Sequence, residues 1–277
     1  MDAPPIQYDR IKADVRIAFD HAGTGPLVVF LHGIGGNRSN WTEQLQAVAD
    51  TFHAVAWDAR GYGESDDYEG PLSFVDFSGD LVRLLDHFGV AWAHLVGLSM
   101  GGRIALDFYE RHPDRVASLV LCDTFPGFDG ESFPRAEREK FVRSRRDPLL
   151  AGRTPREMAP PVAKSLVSRS AGPEVVARLV ESMAALHTDS YIKAIEATTH
   201  YEQVADLAQI AVPVQLIVGQ DDTLTPPSLS ESMAAALPDA RLEILEKAGH
   251  LTNLEQPEAF NDVLGKFLEE VRDRKPL

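Results

Sequence analysis

The chain has 277 residues, 44% of them hydrophobic and 25% charged, a composition that suits a globular protein with one large core and room for an insertion. Its formal net charge of −15 opposes binding to phosphate backbones and anionic lipid surfaces, so a small molecule is the expected partner rather than nucleic acid or membrane. No apolar run approaches the ~20 residues of a transmembrane helix, and Met1 to Pro5 lacks a secretory pattern, which sets a cytoplasmic location as the expectation.

In chain order, Leu27–Leu31 is the first predicted strand, followed by the glycine-rich stretch His32-Gly33-Ile34-Gly35-Gly36. Trp41, Leu45 and Val48 then recur at helical steps, Phe52–Trp57 reads as a strand, and Phe74, Phe77, Leu81, Leu84, Leu85 and Phe88 mark an amphipathic helix. His94–Val96 is a short strand, Ile104, Ala105 and Phe108 sit in the helix behind it, and Val116–Leu121 is the next strand. Cys122, the single cysteine, follows Leu119 to Leu121 and reads as a buried small hydrophobe. From 126 to 212 the alternation stops, and helix-like stretches are punctuated by Pro126, Pro134, Pro148, Pro155, Pro160, Pro161 and Pro173. Strands resume with Val214–Val218 and Leu242–Leu245, and Phe260, Val263, Leu264, Phe267, Leu268 and Val271 form a last helix with Pro257 in its first turn. The pattern predicts an α/β fold with a mostly parallel sheet, residues 1–125 and 213–277 forming the core and residues 126–212 a helical cap.

Chemistry concentrates where strands end. Gly97-Leu98-Ser99-Met100-Gly101 stands between a strand and a helix, the context of a nucleophile elbow, in which a strained turn pushes the serine hydroxyl outward. A serine hydroxyl needs a base that works near neutral pH. Of nine histidines, His250 directly follows the last predicted strand and comes after the serine and the acid in the order Ser, acid, His. The acid is expected in Gly219-Gln220-Asp221-Asp222-Thr223-Leu224-Thr225-Pro226, where Asp222 fits best. Asp221 would serve if the turn were shifted by one, and Asp123, past the strand Val116–Leu121, is a third placement; helix capping is the alternative role of each. Backbone amides of Ile34 and Met100 are the expected oxyanion donors. Phosphate binding is the competing reading of the His32–Gly36 stretch, weakened by the lack of Gly-x-Gly-x-x-Gly or a Walker lysine. His32 is expected to hold its turn rather than to react, and no motif implies a metal or an organic cofactor.

His32-Gly33, Asp58-Ala59-Arg60-Gly61-Tyr62-Gly63-Glu64-Ser65, Gly97 to Gly102, Gly219 to Pro226 and Gly249-His250 together resemble the α/β-hydrolase superfamily over essentially the whole chain. Within it, the elbow, Leu119 to Thr124 and Leu254-Glu255-Gln256-Pro257 resemble 3-oxoadipate enol-lactonases. That resemblance implies a serine esterase or lactonase with Ser99 as nucleophile, and a substrate bearing carboxylates would require a cationic contact. Arg135, Arg138, Lys140, Arg143, Arg145 and Arg146 provide candidates, as does Arg103; a solvated helix surface is the alternative for all of them. Carbon–carbon bond hydrolases, perhydrolases and slow ligand receptors use the same triad, whereas haloalkane dehalogenases and epoxide hydrolases need a carboxylate where Ser99 stands.

Overall fold

Eight strands build one sheet in the spatial order β1-β2-β4-β3-β5-β6-β7-β8. They are β1 (Gln7–Arg10), β2 (Ala18–Ala22), β3 (Leu27–Leu31), β4 (His53–Trp57), β5 (Ala93–Leu98), β6 (Val116–Cys122), β7 (Val214–Gly219) and β8 (Ala240–Leu245). The computed structural model describes residues 4–12, 14–128 and 133–276. β3 to β8 run parallel; β1 and β2 add an antiparallel edge that the sequence pattern does not reveal. The reason is local: β1 reads Gln-Tyr-Asp-Arg with its first three residues exposed, so no apolar period marks it.

The central strands are buried on both faces, and alternate residues serve opposite sides. Val29 and Leu31 of β3 join Leu95 and Leu119 in a cluster with Phe77, Leu81 and Leu84 of α2 (Phe74–His87) and Ile104 and Phe108 of α3 (Met100–Arg111). Val28 and Phe30 face the other way, against Leu45 and Val48 of α1 (Thr42–Val48) and Phe260, Leu264 and Phe267 of α10 (Pro257–Val271). Two apolar layers thus fix the register of the central strands, because a one-residue slip would exchange their two faces.

Four helices lie between β6 and β7: α4 (Arg135–Leu150), α5 (Pro155–Leu166), α6 (Pro173–Ala184) and α7 (Thr188–His200). Two short helices, α8 (Pro227–Ala236) and α9 (Thr252–Glu255), follow β7 and β8. Prolines that look like breaks in the sequence lie inside helices, Pro148 in α4 and Pro160 and Pro161 in α5. Pro161 cannot donate to the carbonyl of Glu157 four residues earlier, and the Arg153 guanidinium takes that carbonyl at 3.1 Å instead.

Parallel pairing aligns the strands' carboxyl ends. Leu31 pairs with Gly97, Leu98 with Cys122, Cys122 with Ile217 and Gly219 with Leu245. The loops carrying Ile34, Ser99, Asp123, Asp222 and His250 therefore leave the sheet along one edge, where open α/β sheets bind their ligands.

Candidate active site

Ser99 joins β5 to α3 with φ 54° and ψ −114°, a strained conformation for a residue with a side chain. Its neighbours permit the bend: a Cβ on Gly97 would come within 2.4 Å of the Gly101 carbonyl oxygen, and one on Gly101 within 2.1 Å of that of Leu31. Hydrogen bonds hold the strained residue from both sides. Its N–H donates to the Cys122 carbonyl at 2.9 Å, and its carbonyl accepts from Thr124 Oγ1 at 2.7 Å and from the Gly102 amide at 3.0 Å.

His250 Nε2 lies 3.0 Å from Ser99 Oγ, and His250 Nδ1 lies 2.8 Å from Asp222 Oδ2. A proton on Nδ1 donates to the carboxylate, which leaves the Nε2 lone pair facing the serine hydroxyl. Asp222 is itself fixed, since Oδ1 accepts the amides of Leu224 at 2.8 Å and Thr225 at 3.0 Å while Oδ2 accepts Thr225 Oγ1 at 2.7 Å. Burial alone would push the His250 pKa down, but the hydrogen bond and charge of Asp222 outweigh it and raise the pKa above the ordinary 6.5. For Asp222, burial pushes up and the bonds to His250 and Thr225 pull down; the net direction is below the usual carboxylate range.

The two other candidate acids part from this arrangement. Asp221 is exposed, and its backbone N–H donates to the Ala248 carbonyl at 2.8 Å. Asp123 is fully buried at positive φ; its Oδ1 accepts the Gly219 amide at 3.0 Å and its Oδ2 accepts Thr252 Oγ1 at 2.6 Å. It thereby ties the loop before Asp222 to the loop after His250, and burial, with Asp222 nearby, lifts its pKa to about 7.

Met100 is the first residue of α3, so its N–H has no acceptor within the helix. The Ile34 amide makes no hydrogen bond to protein among the described residues. His32 is buried and holds this turn: the Ala59 amide donates to Nε2 at 3.0 Å, which places the ring proton on Nδ1, 2.8 Å from the Gly33 carbonyl oxygen.

Two compartments meet at Ser99 and Ile34. The smaller, about 50 Å³, is lined by His250, Asn40, Trp41, Tyr191 and Arg145, among others. The larger, about 240 Å³, is lined by Met100, Phe125, Phe128, Phe133, Phe141 and Leu224, with Arg103 and Arg138 at its wall.

Residues 26–257 match the family described as alpha/beta hydrolase fold. The chain belongs to the α/β-hydrolase family. Among relatives of this α/β hydrolase, 3-oxoadipate enol-lactonase 2 of Acinetobacter baylyi is 28% identical over 249 residues, which cover 88% of this chain and 91% of that one. A thermophilic esterase from Thermogutta terrifontis, solved with malate bound, superposes with a TM-score of 0.86 at 28% identity, covering 96% of this chain and 99% of the esterase. The enol-lactonase from Burkholderia xenovorans LB400 superposes with a TM-score of 0.81 at 25% identity, covering 95% and 100%.

Of the basic residues that the sequence offered this hydrolase for ligand contact, most are engaged elsewhere. Arg103 corrects the expectation of a solvated helix surface: it is 5% exposed, donates to the carbonyls of Thr198 at 2.6 Å and Tyr201 at 2.8 Å, and lies over the rings of Phe74, Phe125, Phe128 and Tyr201. The carboxy-terminal carbonyls of α7 provide the acceptors, and burial lowers its pKa to about 10. Arg138 donates to the Thr199 carbonyl and pairs with Glu202, Arg146 pairs with Glu196, Lys140 pairs with Glu137, and Arg135 and Arg143 are exposed. Arg145 is half-buried, lines the smaller compartment and has no ion pair among the described residues. Sequence reasoning missed Thr225, Thr252 and Glu255. Glu255 accepts the amides of Gly249 at 2.9 Å and Ser168 at 2.7 Å; only its place five residues after His250 hinted at a role in shaping the histidine loop.

Proposed function

We propose that the protein hydrolyses small carboxylic esters or lactones, with Ser99 as nucleophile, His250 as general base and Asp222 as the residue that fixes the imidazole. The unbroken chain of contacts, Ser99 Oγ to His250 Nε2 at 3.0 Å and His250 Nδ1 to Asp222 Oδ2 at 2.8 Å, carries this reading. In the first step Ser99 Oγ bonds to the carbonyl carbon while its proton passes to Nε2. The carbonyl electrons move onto oxygen, where the Ile34 and Met100 amides stabilise the negative charge. Collapse expels the alcohol, which takes the proton back from Nε2, and an acyl group remains on Ser99. Water, deprotonated by the same nitrogen, then releases the acid.

Residues 126–212 act in this reading as a cap that shapes the pocket. Arg145 supports a substrate with an anionic group, because a half-buried guanidinium that has no carboxylate partner among the described residues and lines the same compartment as Ser99 is a matched site for one. An enol-lactone of the kind named for the Acinetobacter relative fits both the chemistry and that charge. The direct test is turnover of p-nitrophenyl acetate and of a carboxylate-bearing lactone by wild type and by Ser99→Ala, with a serine-reactive phosphonate used to map the nucleophile. Ser99→Ala is expected to lose several orders of magnitude in kcat and to remain folded. Wild-type rates in that variant, or phosphonate on another residue, would overturn the assignment; negligible turnover with tight ligand binding would indicate a receptor.

A further inference from the structure

The larger compartment contains more room and a different chemistry than ester cleavage by itself requires. Phe125, Phe128 and Phe133 contact one another with ring centroids 4.7 to 5.4 Å apart, in tilted and edge-on arrangements. Rings that serve only as core are normally fully buried; Phe125, Phe128 and Phe133 are each half-buried and line a cavity of about 240 Å³ that reaches Ser99. An apolar cavity of roughly 150 Å³ already accepts benzene. Of the two guanidinium groups in the wall, that of Arg103 donates to the carbonyls of Thr198 and Tyr201 and that of Arg138 to the Thr199 carbonyl and Glu202, and Glu137 also lines the compartment, a balance of charge that does not favour an anion.

The side of the substrate that enters follows from where the proton must go. The leaving oxygen receives its proton from His250 Nε2, and His250 lines the smaller compartment but not the larger. The alcohol portion therefore lies beside Arg145 and the acyl portion beside the phenylalanines. We propose that the larger compartment is an acyl subsite selecting an aromatic ring one or two bonds from the reacting carbonyl, as in an arylacetyl ester. This rests on the reading of Ser99 as nucleophile. A planar ring makes offset and edge-to-face contacts with Phe125, Phe128 and Phe133 that a methylene chain of similar area does not.

The test compares methyl acetate, methyl hexanoate and methyl phenylacetate by proton release, in which the leaving group is constant and small enough for the smaller compartment. Since a single extra methylene in an apolar pocket changes kcat/KM by about tenfold or more, phenylacetate is expected to exceed acetate by at least that factor and to exceed hexanoate as well. Phe133→Leu, which removes one ring from the wall and keeps it apolar, is expected to lower the phenylacetate-to-hexanoate ratio by about two- to tenfold. Calorimetry on Ser99→Ala provides a readout independent of turnover: methyl phenylacetate is expected to bind at least about tenfold more tightly than methyl acetate. Equal kcat/KM for acetate and phenylacetate, a preference for hexanoate, an unchanged phenylacetate-to-hexanoate ratio in Phe133→Leu or equal binding to Ser99→Ala would each overturn the subsite. If no ester is turned over but the aryl preference persists in binding, the hydrolytic reading fails and the subsite stands.

Discussion

Replacing Asp222 by asparagine separates the orientation of His250 from the folding of its loop. In the native arrangement Oδ2 accepts from both His250 Nδ1 at 2.8 Å and Thr225 Oγ1 at 2.7 Å, while Oδ1 accepts two backbone amides. The asparagine oxygen can retain the two amide bonds, so the turn survives. Its NH2 group then occupies the Oδ2 position and donates towards Nδ1, which moves the ring proton to Nε2. An Nε2–H cannot accept the proton of Ser99. For a triad left intact but locked in the wrong tautomer, kcat falls by about 10⁴, or ~5.4 kcal/mol at 1.36 kcal/mol per tenfold. Folding stability should fall by no more than about 3 kcal/mol, the scale of one hydrogen bond to a charged group. Steady-state hydrolysis of p-nitrophenyl acetate, with urea denaturation of the same samples, measures both. A variant within tenfold of wild type would refute the claim that Asp222 sets the tautomer. The exposed Asp221→Asn is the matched control and should stay within threefold or so.

Because the base must be neutral, kcat/KM should fall as pH drops through a His250 pKa that lies above 6.5, and in Asp222→Asn burial should dominate and move that midpoint below 6.5; a pH–rate profile checks both signs. Stability linked to His250 runs the other way: a raised folded pKa gives a contribution complete below 6.5 and lost as pH rises through the folded value, visible in urea midpoints between Ser99→Ala and Ser99→Ala/His250→Gln. Arg145→Met should raise KM for a carboxylate-bearing ester by about ten- to a hundredfold relative to a neutral ester of equal size, and a parallel change in both would refute an ionic contact. Asp58, fully buried, accepts the Arg38 amide at 2.7 Å and the Glu64 amide at 2.8 Å and pairs with the Arg38 guanidinium. Asp58→Ala leaves those two amides without an acceptor, while Asp20 still holds the Arg38 guanidinium at 3.0 Å, and should cost about 1–3 kcal/mol per stranded amide in urea unfolding.

The parallel strands and the flanking helices were legible because each buries a periodic apolar face: the steps Phe74, Phe77, Leu81 and Leu84 leave little choice but a helix on a sheet. The N-terminal edge strands were not, since β1 exposes most of its side chains and its stability comes from pairing with β2. Ser99 and His250 were visible from their places after strands, and Asp222 stood out from its loop, but the partners that hold them were hidden. Asp123 and Thr252 are 129 residues apart, and only the alignment of strand ends brings them to 2.6 Å.

By itself, then, the chain's order of apolar periods and glycine-flanked turns determined the α/β architecture and that Ser99, Asp222 and His250 stand in loops after strands, because those depend on local spacing. Tertiary structure decided which of seven basic residues lines the compartment of Ser99 and His250 with no ion pair among the described residues, and that four phenylalanines line the compartment next to it. Such outcomes turn on whether a charge finds an acceptor and whether a ring finds a neighbour, and those encounters exist only after residues far apart in the chain have been packed together.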